Sequence, residues 1–237
     1  MISNIFNAVF YQPLYNALIG LMSLLPFLDA GVAVILFTFL VRLALFPLSR
    51  SMMRTQNALK VLDPEIKALK EKHKGNSQQQ AEHLLTLYKQ NNINPFSGII
   101  LALAQLPIIL ALYFVFQRGF STIDTVSLYS FIAPPASINL LFLGLVDVAG
   151  KNILLAILVG ASGFLQSYFM PTAPGSADNA FTKSLQLQMR YMFPVLTGFI
   201  SYQLSAAISL YWITSNMFSV VQELFLRKRM TVEKKIS

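Results

Sequence analysis

Long apolar segments separated by polar ones make up most of the chain. The segments that approach the ~20 residues a helix needs to cross a bilayer are residues 29–50, 97–117, 152–170, 188–204 and 206–226. The third and fourth are the shortest, and tilt or local thinning of the bilayer accommodates such lengths. A small polar stretch separates the last two, and we place a turn there. The pattern predicts an all-α polytopic membrane protein with five spans.

The first 28 residues carry apolar side chains at every third or fourth position, as an amphipathic helix does. The repeating side chains are Phe6, Phe10, Leu14, Leu18 and Leu21, and the polar residues that interrupt them are Asn4, Asn7, Gln12 and Asn16. Pro26 and Asp29 separate this segment from the first span. We therefore predict that residues 1–28 form an N-terminal amphipathic helix in the membrane interface.

Residues 51–94 form the one long polar segment and are predicted to fold as a cytoplasmic helical hairpin. One arm has the 3-4-3 spacing of a coiled-coil seam, at Leu59, Leu62, Ile66 and Leu69. The second arm has a matching apolar face at Ala81, Leu84, Leu85 and Tyr88. Gly75-Asn76-Ser77 is the predicted turn. The hairpin is either a solvated helical pair or a docking site, and its surface charges do not distinguish the two.

The later part of the chain, residues 95–226, holds the other four spans. An outer loop at residues 118–151 and a cytoplasmic loop at residues 171–187 connect these spans. A basic tail at residues 227–237 follows the last one. The outer loop is apolar around residues 140–146, but Pro134-Pro135 and Asp147 argue against a span. We predict that this loop is interfacial or re-entrant.

Composition supports a membrane location and excludes several kinds of site. The chain is 55% hydrophobic, has a mean hydropathy of +0.57, and has a charged fraction of 12%, half the ~25% typical of soluble domains. It lacks cysteine, which excludes a disulfide or a thiolate metal site. No phosphate-binding glycine motif or metal-ligand cluster is present, so we predict neither enzymatic activity nor a cofactor.

Lysine and arginine concentrate on one side of the predicted spans. Eight lie between Arg50 and Lys89, two are Lys183 and Arg190, and five lie in the tail, whereas the opposite side has only Arg118 and Lys151. Connecting loops rich in lysine and arginine stay in the cytoplasm. We therefore predict an N-terminus outside the membrane and a C-terminus in the cytoplasm.

Arg42 lies in an apolar run, residues 31–48, that has no other charge. Arginine at membrane depth costs about 2.5–3.5 kcal/mol on insertion scales and usually faces a bundle interior or a wet cavity. The nearest acidic candidates are Glu223, at the cytoplasmic end of the fifth span, and Asp29, at the opposite face. We predict a positively charged, hydrated cavity around Arg42 that opens to the cytosol. The alternative is that its head group snorkels to the interface.

Four other positions stand out inside the spans, namely Gln105, Gln166, Trp212 and Asn216. At a rise of about 1.5 Å per residue, Gln105 and Gln166 lie near the depth of Arg42, and Trp212 lies nearer the outer face. The amide of Gln105 is favoured to satisfy carbonyls that Pro107 leaves free, with a role in the cavity as the alternative. Gln166 is either an interhelical hydrogen bond or a site residue, and Asn216 is favoured to join helices.

A set of short motifs in a fixed order resembles the YidC family of membrane protein insertases, with its mitochondrial and chloroplast relatives. The resemblance covers nearly the whole chain, from Pro13-Leu14-Tyr15-Asn16 to the fifth span. Its main blocks are Val41-Arg42-Leu43, Leu45-Phe46-Pro47-Leu48, Pro64-Glu65-Ile66, Leu87-Tyr88-Lys89, Asn94-Pro95-Phe96, Gln105-Leu106-Pro107, Ala111-Leu112-Tyr113, Phe142-Leu143-Gly144, Met192-Phe193-Pro194, Leu210-Tyr211-Trp212 and Ser215-Asn216. Order and spacing together make the signal specific.

The resemblance implies five spans around a hydrophilic groove that is open to lipid and cytosol and sealed on the outer side. It implies that Arg42 is the groove arginine and that Thr38, Gln166 and Trp212 line the groove or contact substrate. The implied location is a prokaryotic inner or plasma membrane. The implied partners are nascent membrane proteins, the bilayer, the ribosome through the hairpin or tail, the signal recognition particle with its receptor, and the Sec translocon.

Two other functions use the same features. A small-solute or anion transporter would also contain a buried arginine, but it should show an internal repeat, and the sequence has none. A non-catalytic assembly partner for membrane proteins would need Arg42 only as a snorkelling residue. The leading hypothesis is an insertase that accepts polar segments in the groove and releases apolar helices into the bilayer.

Overall fold

The computed structural model describes residues 2–94, 97–119, 123–169, 184 and 187–236. The helices before the outer loop are α1 (Ile2–Phe6), α2 (Gln12–Leu24), α3 (Ala30–Ala44), α4 (Phe46–Val61), α5 (Asp63–Lys72), α6 (Ser77–Gln90) and α7 (Ser97–Gly119). The helices after it are α8 (Ile153–Phe169), α9 (Phe193–Gln203) and α10 (Ala206–Ile236). The helical fold class is confirmed. Most of the predicted cytoplasmic loop at 171–187 lies outside the described residues.

Four short elements complete the described chain. Two are π-helical turns, Asn7–Tyr11 and Gln188–Met192, and one is a 3₁₀ turn, Thr125–Ser127. The fourth is an antiparallel hairpin of β1 (Leu141–Phe142) and β2 (Val146–Asp147), in which Phe142 pairs with Val146. The predicted interfacial or re-entrant outer loop thus contains a β-hairpin that the sequence analysis did not include.

The first apolar segment bends where α3 meets α4. The two helices pass the length and hydropathy requirements for a membrane span only as a pair bent by 62°. Among the described residues, no single helix meets those requirements. Pro47 in the first turn of α4 explains the break, because proline favours the first turn of a helix and disrupts the hydrogen bonds of a helix that continues through it. The five spans remain a prediction.

The N-terminal segment packs against protein rather than lying apart from it. The core side chains that it contributes are Tyr11, Tyr15, Leu18, Ile19 and Met22. Helix α2 contacts α3, α7 and the Thr125–Ser127 turn of the outer loop. The fully buried face is therefore offset by one position from the predicted one. Of the predicted apolar positions only Leu18 is fully buried, and Phe6, Phe10, Leu14 and Leu21 are partly buried against the same core.

Helices α8 and α9 approach closely because glycines face the contact, as small residues do between membrane helices. A Cβ built on Gly198 would lie 3.1 Å from the backbone oxygen of Ala156, and one built on Gly163 would lie 3.2 Å from Pro194 Cβ. The opposite faces of these two helices expose large apolar side chains, including Ile157 and Phe199. Such faces fit contact with lipid.

Replacing Gly198 with leucine should lower the free energy of unfolding by about 1–3 kcal/mol, because overpacked interiors force helices apart. The added side chain would meet backbone atoms of Ala156 and Gly160, which cannot rotate away. Thermal unfolding of the purified protein in detergent is the measurement. Phe199→Leu, at the exposed neighbouring position, is the control. Equal melting temperatures for Gly198→Leu and the wild type would contradict the packing described here.

The polar segment has its own small core. Leu62, Ile66 and Ile93 are buried there, with Leu84 and Tyr88 packed against them. Burial raises the pKa of the Tyr88 phenol. The first arm of the predicted hairpin is divided between α4 and α5, and Pro64 in the first turn of α5 marks the break. The predicted turn is confirmed, since Gly75 has φ +103° and the Asn76 side chain accepts a hydrogen bond from Gln79 N.

Candidate functional site

Arg42 lies in the last turn of α3, where a cation interacts favourably with the helix dipole. The residue is half-buried, and its Nε is buried without a hydrogen-bond partner. No acidic side chain of the described chain forms an ion pair with it. Tyr211 on α10 lies within electrostatic range of the guanidinium. The structure therefore places a half-buried positive charge, with no described ion-pair partner, at the contact between α3 and α10.

Gln105 and Tyr211 join α7 to α10 beside this charge. The side-chain nitrogen Nε2 of Gln105 donates to Tyr211 Oη over 2.8 Å. The favoured sequence interpretation assigned that amide to carbonyls freed by Pro107, and the bond to Tyr211 gives it a different partner. Tyr211 itself was absent from the predicted site residues. Its only sequence signal was its position next to Trp212 in a family motif.

An apolar cavity of about 560 Å³ adjoins the polar cluster. Its lining residues are Phe6 from α1, Leu106, Pro107, Ile109, Leu110, Leu112, Tyr113 and Phe116 from α7, Ile200 from α9, Leu204 just after it, and Ile208, Tyr211 and Trp212 from α10. Tyr211 belongs to both features, because its ring lines the cavity and its hydroxyl oxygen accepts from Gln105. Trp212 thus lies in apolar surroundings, whereas the sequence analysis assigned it to a polar groove.

The remaining residues singled out in the sequence are Thr38, Gln166 and Asn216. Thr38 is fully buried, and its hydroxyl donates to Val34 O over 2.6 Å, so the group is used within its own helix. Gln166 is half-buried on α8 and is not among the described residues that line the cavity. Asn216 donates to Ser162 Oγ over 2.9 Å. Its predicted role in joining helices is confirmed.

A second arginine lies at the predicted cytoplasmic mouth of the α3–α10 contact. The Nε of Arg50 on α4 is buried without a hydrogen-bond partner, as is that of Arg42. The neighbouring Ser49 hydroxyl accepts from Gln222 Nε2 over 2.8 Å, which ties α4 to α10. Arg50 was predicted only as one of the loop cations. The two arginines lie on either side of the 62° bend between α3 and α4, so their spacing in the sequence gave no signal for a shared site.

The arrangement can bind polar groups and apolar groups side by side. A guanidinium without a described partner attracts carboxylates and carbonyl oxygens, strongly so in low dielectric. The adjoining cavity offers aromatic and aliphatic surface to an apolar segment. Among the residues that the structure describes, no group of three or more His, Cys, Asp or Glu could hold a metal ion.

Comparison with known proteins gives a consistent picture. The sequence matches the 60Kd inner membrane protein family over residues 22–234. A relative from Fusobacterium nucleatum, named Membrane protein insertase YidC, is 31% identical over 199 residues, which are 84% of this chain and 86% of the relative. A relative of the same name from Clostridium perfringens is 30% identical over 230 residues, which are 95% of this chain and 89% of the relative.

A third relative, from Wolinella succinogenes and of the same name, is 33% identical over 205 residues. The match covers 86% of this chain but 35% of that relative. The chain therefore spans about a third of the longer relative and most of the two shorter ones.

Proposed function

The chain belongs to the 60Kd inner membrane protein family, and we propose that it acts as a membrane protein insertase through the site around Arg42 and the adjoining cavity. Its relatives are named membrane protein insertases, which supports insertion as the function and a bacterial membrane as the location. In this proposal, polar segments of nascent membrane proteins bind beside Arg42. Their apolar helices leave through the cavity lined by Trp212.

One observation carries the proposal for polar segments: Arg42 is half-buried, its Nε is fully buried, and it has no described hydrogen-bond or ion-pair partner. Leaving a buried charge unpaired is costly, and an incoming carboxylate, amide or accompanying water would remove that cost. The Tyr211 hydroxyl, which accepts from Gln105, adds a second polar group next to the charge. A segment held there has a shorter apolar barrier left to cross.

The cavity supports the exit of apolar segments. Two of its lining residues on α7, Leu106 and Leu110, are 64% and 49% exposed, so the cavity is open on that side. Burial of an apolar helix in lipid releases about 25 cal/mol for each Å² removed from water. That free energy drives the reaction without a nucleotide, and no catalytic chemistry is needed.

The remaining features of the proposal concern topology and partners. The N-terminus lies outside, the tail is cytoplasmic, and five spans, including the bent α3–α4 pair, surround the groove. The excess of lysine and arginine on one side of the spans supports this orientation. Nascent membrane proteins and the bilayer are the immediate partners. The α5–α6 hairpin offers a contact to the ribosome or the signal recognition particle, and the Sec translocon is a further partner.

Site-specific photo-cross-linking tests the proposal. A photoreactive residue in place of Trp212 or Gln105 should form an adduct with a single-span nascent chain, and the adduct should disappear when translation is completed and the chain is released. The same probe in place of Ile157, which is exposed on α8 and away from the cavity, is the matched control. Adducts that form only with assembled subunits would favour an assembly partner and contradict insertion through this site.

A further inference from the structure

We propose that residues 139–150, named here the strap, hold the outer ends of α3 and α10 together, and that Asp29 and Phe142 are the positioning residues that fix it. A groove sealed on the outer side is what the family resemblance implies, and the strap is the segment of this chain that forms that seal. This inference rests on the proposed function of the Arg42 site. It gives a role to the Phe142-Leu143-Gly144 motif, which that function leaves unused.

A backbone hydrogen bond and the carboxylate of Asp29 attach the strap to α3. Ala30 N donates to Asn139 O over 2.8 Å. The two oxygens of Asp29 have separate tasks, since Oδ1 accepts from Val32 N over 2.9 Å and Oδ2 accepts from Leu143 N over 3.1 Å. The first bond caps the helix, and the second holds the tip of the β-hairpin against it.

The hairpin turn is shaped for this attachment. Leu143 has φ +52° and Gly144 has φ +72°, a left-handed conformation that a leucine adopts only at a cost. The Leu143 amide faces Asp29 in that conformation, while its side chain remains 67% exposed. Next to it, Phe142 packs so closely on Gly31 that a Cβ there would clash with the ring and with Phe142 Cβ.

The other end of the strap is attached to α10. Ala206 N donates to Gly150 O over 2.7 Å, and Ala207 N donates to Val148 O over 3.0 Å. These are amides of the first turn, which have no partner within their own helix. Val148 is fully buried in the core. One segment therefore connects the helix that carries Arg42 to the helix that carries Tyr211.

The substitution Asp29→Asn removes the hydrogen bond from Leu143 N in the strap but keeps the cap of α3. Asparagine caps a helix as well as aspartate does, but its amide nitrogen cannot accept from Leu143 N. In a chain with Thr38→Cys as its one cysteine, we expect a membrane-impermeant thiol reagent added from outside to label Asp29→Asn about tenfold faster than the parent, since a hydrogen bond to a carboxylate contributes roughly that factor. Thr38 is fully buried between the strap and Arg42, and the chain has no other cysteine.

Asp147→Asn is the matched control. It makes the same change of charge inside the strap, but Asp147 Oδ1 accepts only from the nearby Ala149 N, so outside labelling should not change. Gly31→Ala provides an independent approach, because it displaces Phe142 and should raise labelling as well.

Unchanged labelling in both Asp29→Asn and Gly31→Ala, at normal protein levels, would overturn the strap. Equal acceleration by Asp147→Asn would also overturn it, because a general loosening of the outer loop would then be the cause. Neither result depends on cross-linking at Trp212, so the strap and the proposed function fail separately. The strap is supported when Asp29→Asn is labelled faster than the parent and Asp147→Asn is not.

Discussion

Arg42→Glu should reduce insertion of a single-span substrate with an acidic outer tail by at least about a hundredfold, because it replaces attraction with repulsion in a partly buried site of low dielectric. Arg42→Ala should cause a smaller loss, since it removes the attraction without adding repulsion. Arg42→Lys should keep partial activity, because an ammonium still supplies a point charge. Depletion of the native protein, complementation with each variant, and protease accessibility of the labelled outer tail measure the effect.

Arg54→Glu is the control for Arg42→Glu. It makes the same reversal of charge on α4, where the side chain is exposed and screened by solvent. We expect insertion close to that of the wild type. Normal insertion by Arg42→Glu, at an unchanged protein level, would remove the electrostatic mechanism. Equal losses in the two variants would assign the effect to net charge rather than to the site.

Asn16→Leu should destabilise the protein by about 2–4 kcal/mol, because it leaves buried polar groups without partners. Asn16 is 1% exposed. Its nitrogen donates to Gln12 O and Ser127 O, and its oxygen accepts from Tyr129 N over 2.7 Å. These bonds attach α2 to the outer loop. A lower melting temperature and faster proteolysis at the outer loop are the expected observations.

Asn7→Leu is the matched control for Asn16→Leu. Both asparagines interrupt the same apolar pattern in the sequence, but Asn7 is exposed. Its replacement should leave stability within about 0.5 kcal/mol of the wild type. An Asn16→Leu variant as stable as Asn7→Leu would contradict the role given to the hydrogen bonds between α2 and the outer loop.

The asparagines illustrate what hydropathy alone determined. The apolar period predicted a helix in the first 28 residues, and α1, the Asn7–Tyr11 turn and α2 together occupy most of that range. The same period could not separate Asn16, which bonds to the outer loop, from Asn7, which is exposed. A helical pattern reports which face is apolar. It does not report whether lipid or another helix covers that face.

The sequence likewise predicted some residues of the site and missed the contacts of others. Arg42 was evident because a charge inside an apolar segment is expensive and needs a local explanation. The bond from Gln105 to Tyr211 joins residues 106 positions apart, and the sequence offered Gln105 a nearer explanation at Pro107. Thr38 matched a family position, but its hydroxyl bonds within its own helix, a choice that the amino-acid type leaves open.

The sequence by itself determined the helical class, the apolar segments, the buried arginine and the family, because each depends on composition and spacing along the chain. Only the tertiary structure decided that Tyr211 lies beside Arg42, that Trp212 lines an apolar cavity, and that Asp29 holds the outer hairpin. The physical reason is that a polar side chain has several potential hydrogen-bond partners, which the sequence alone does not distinguish. Packing between distant helices selects one of them.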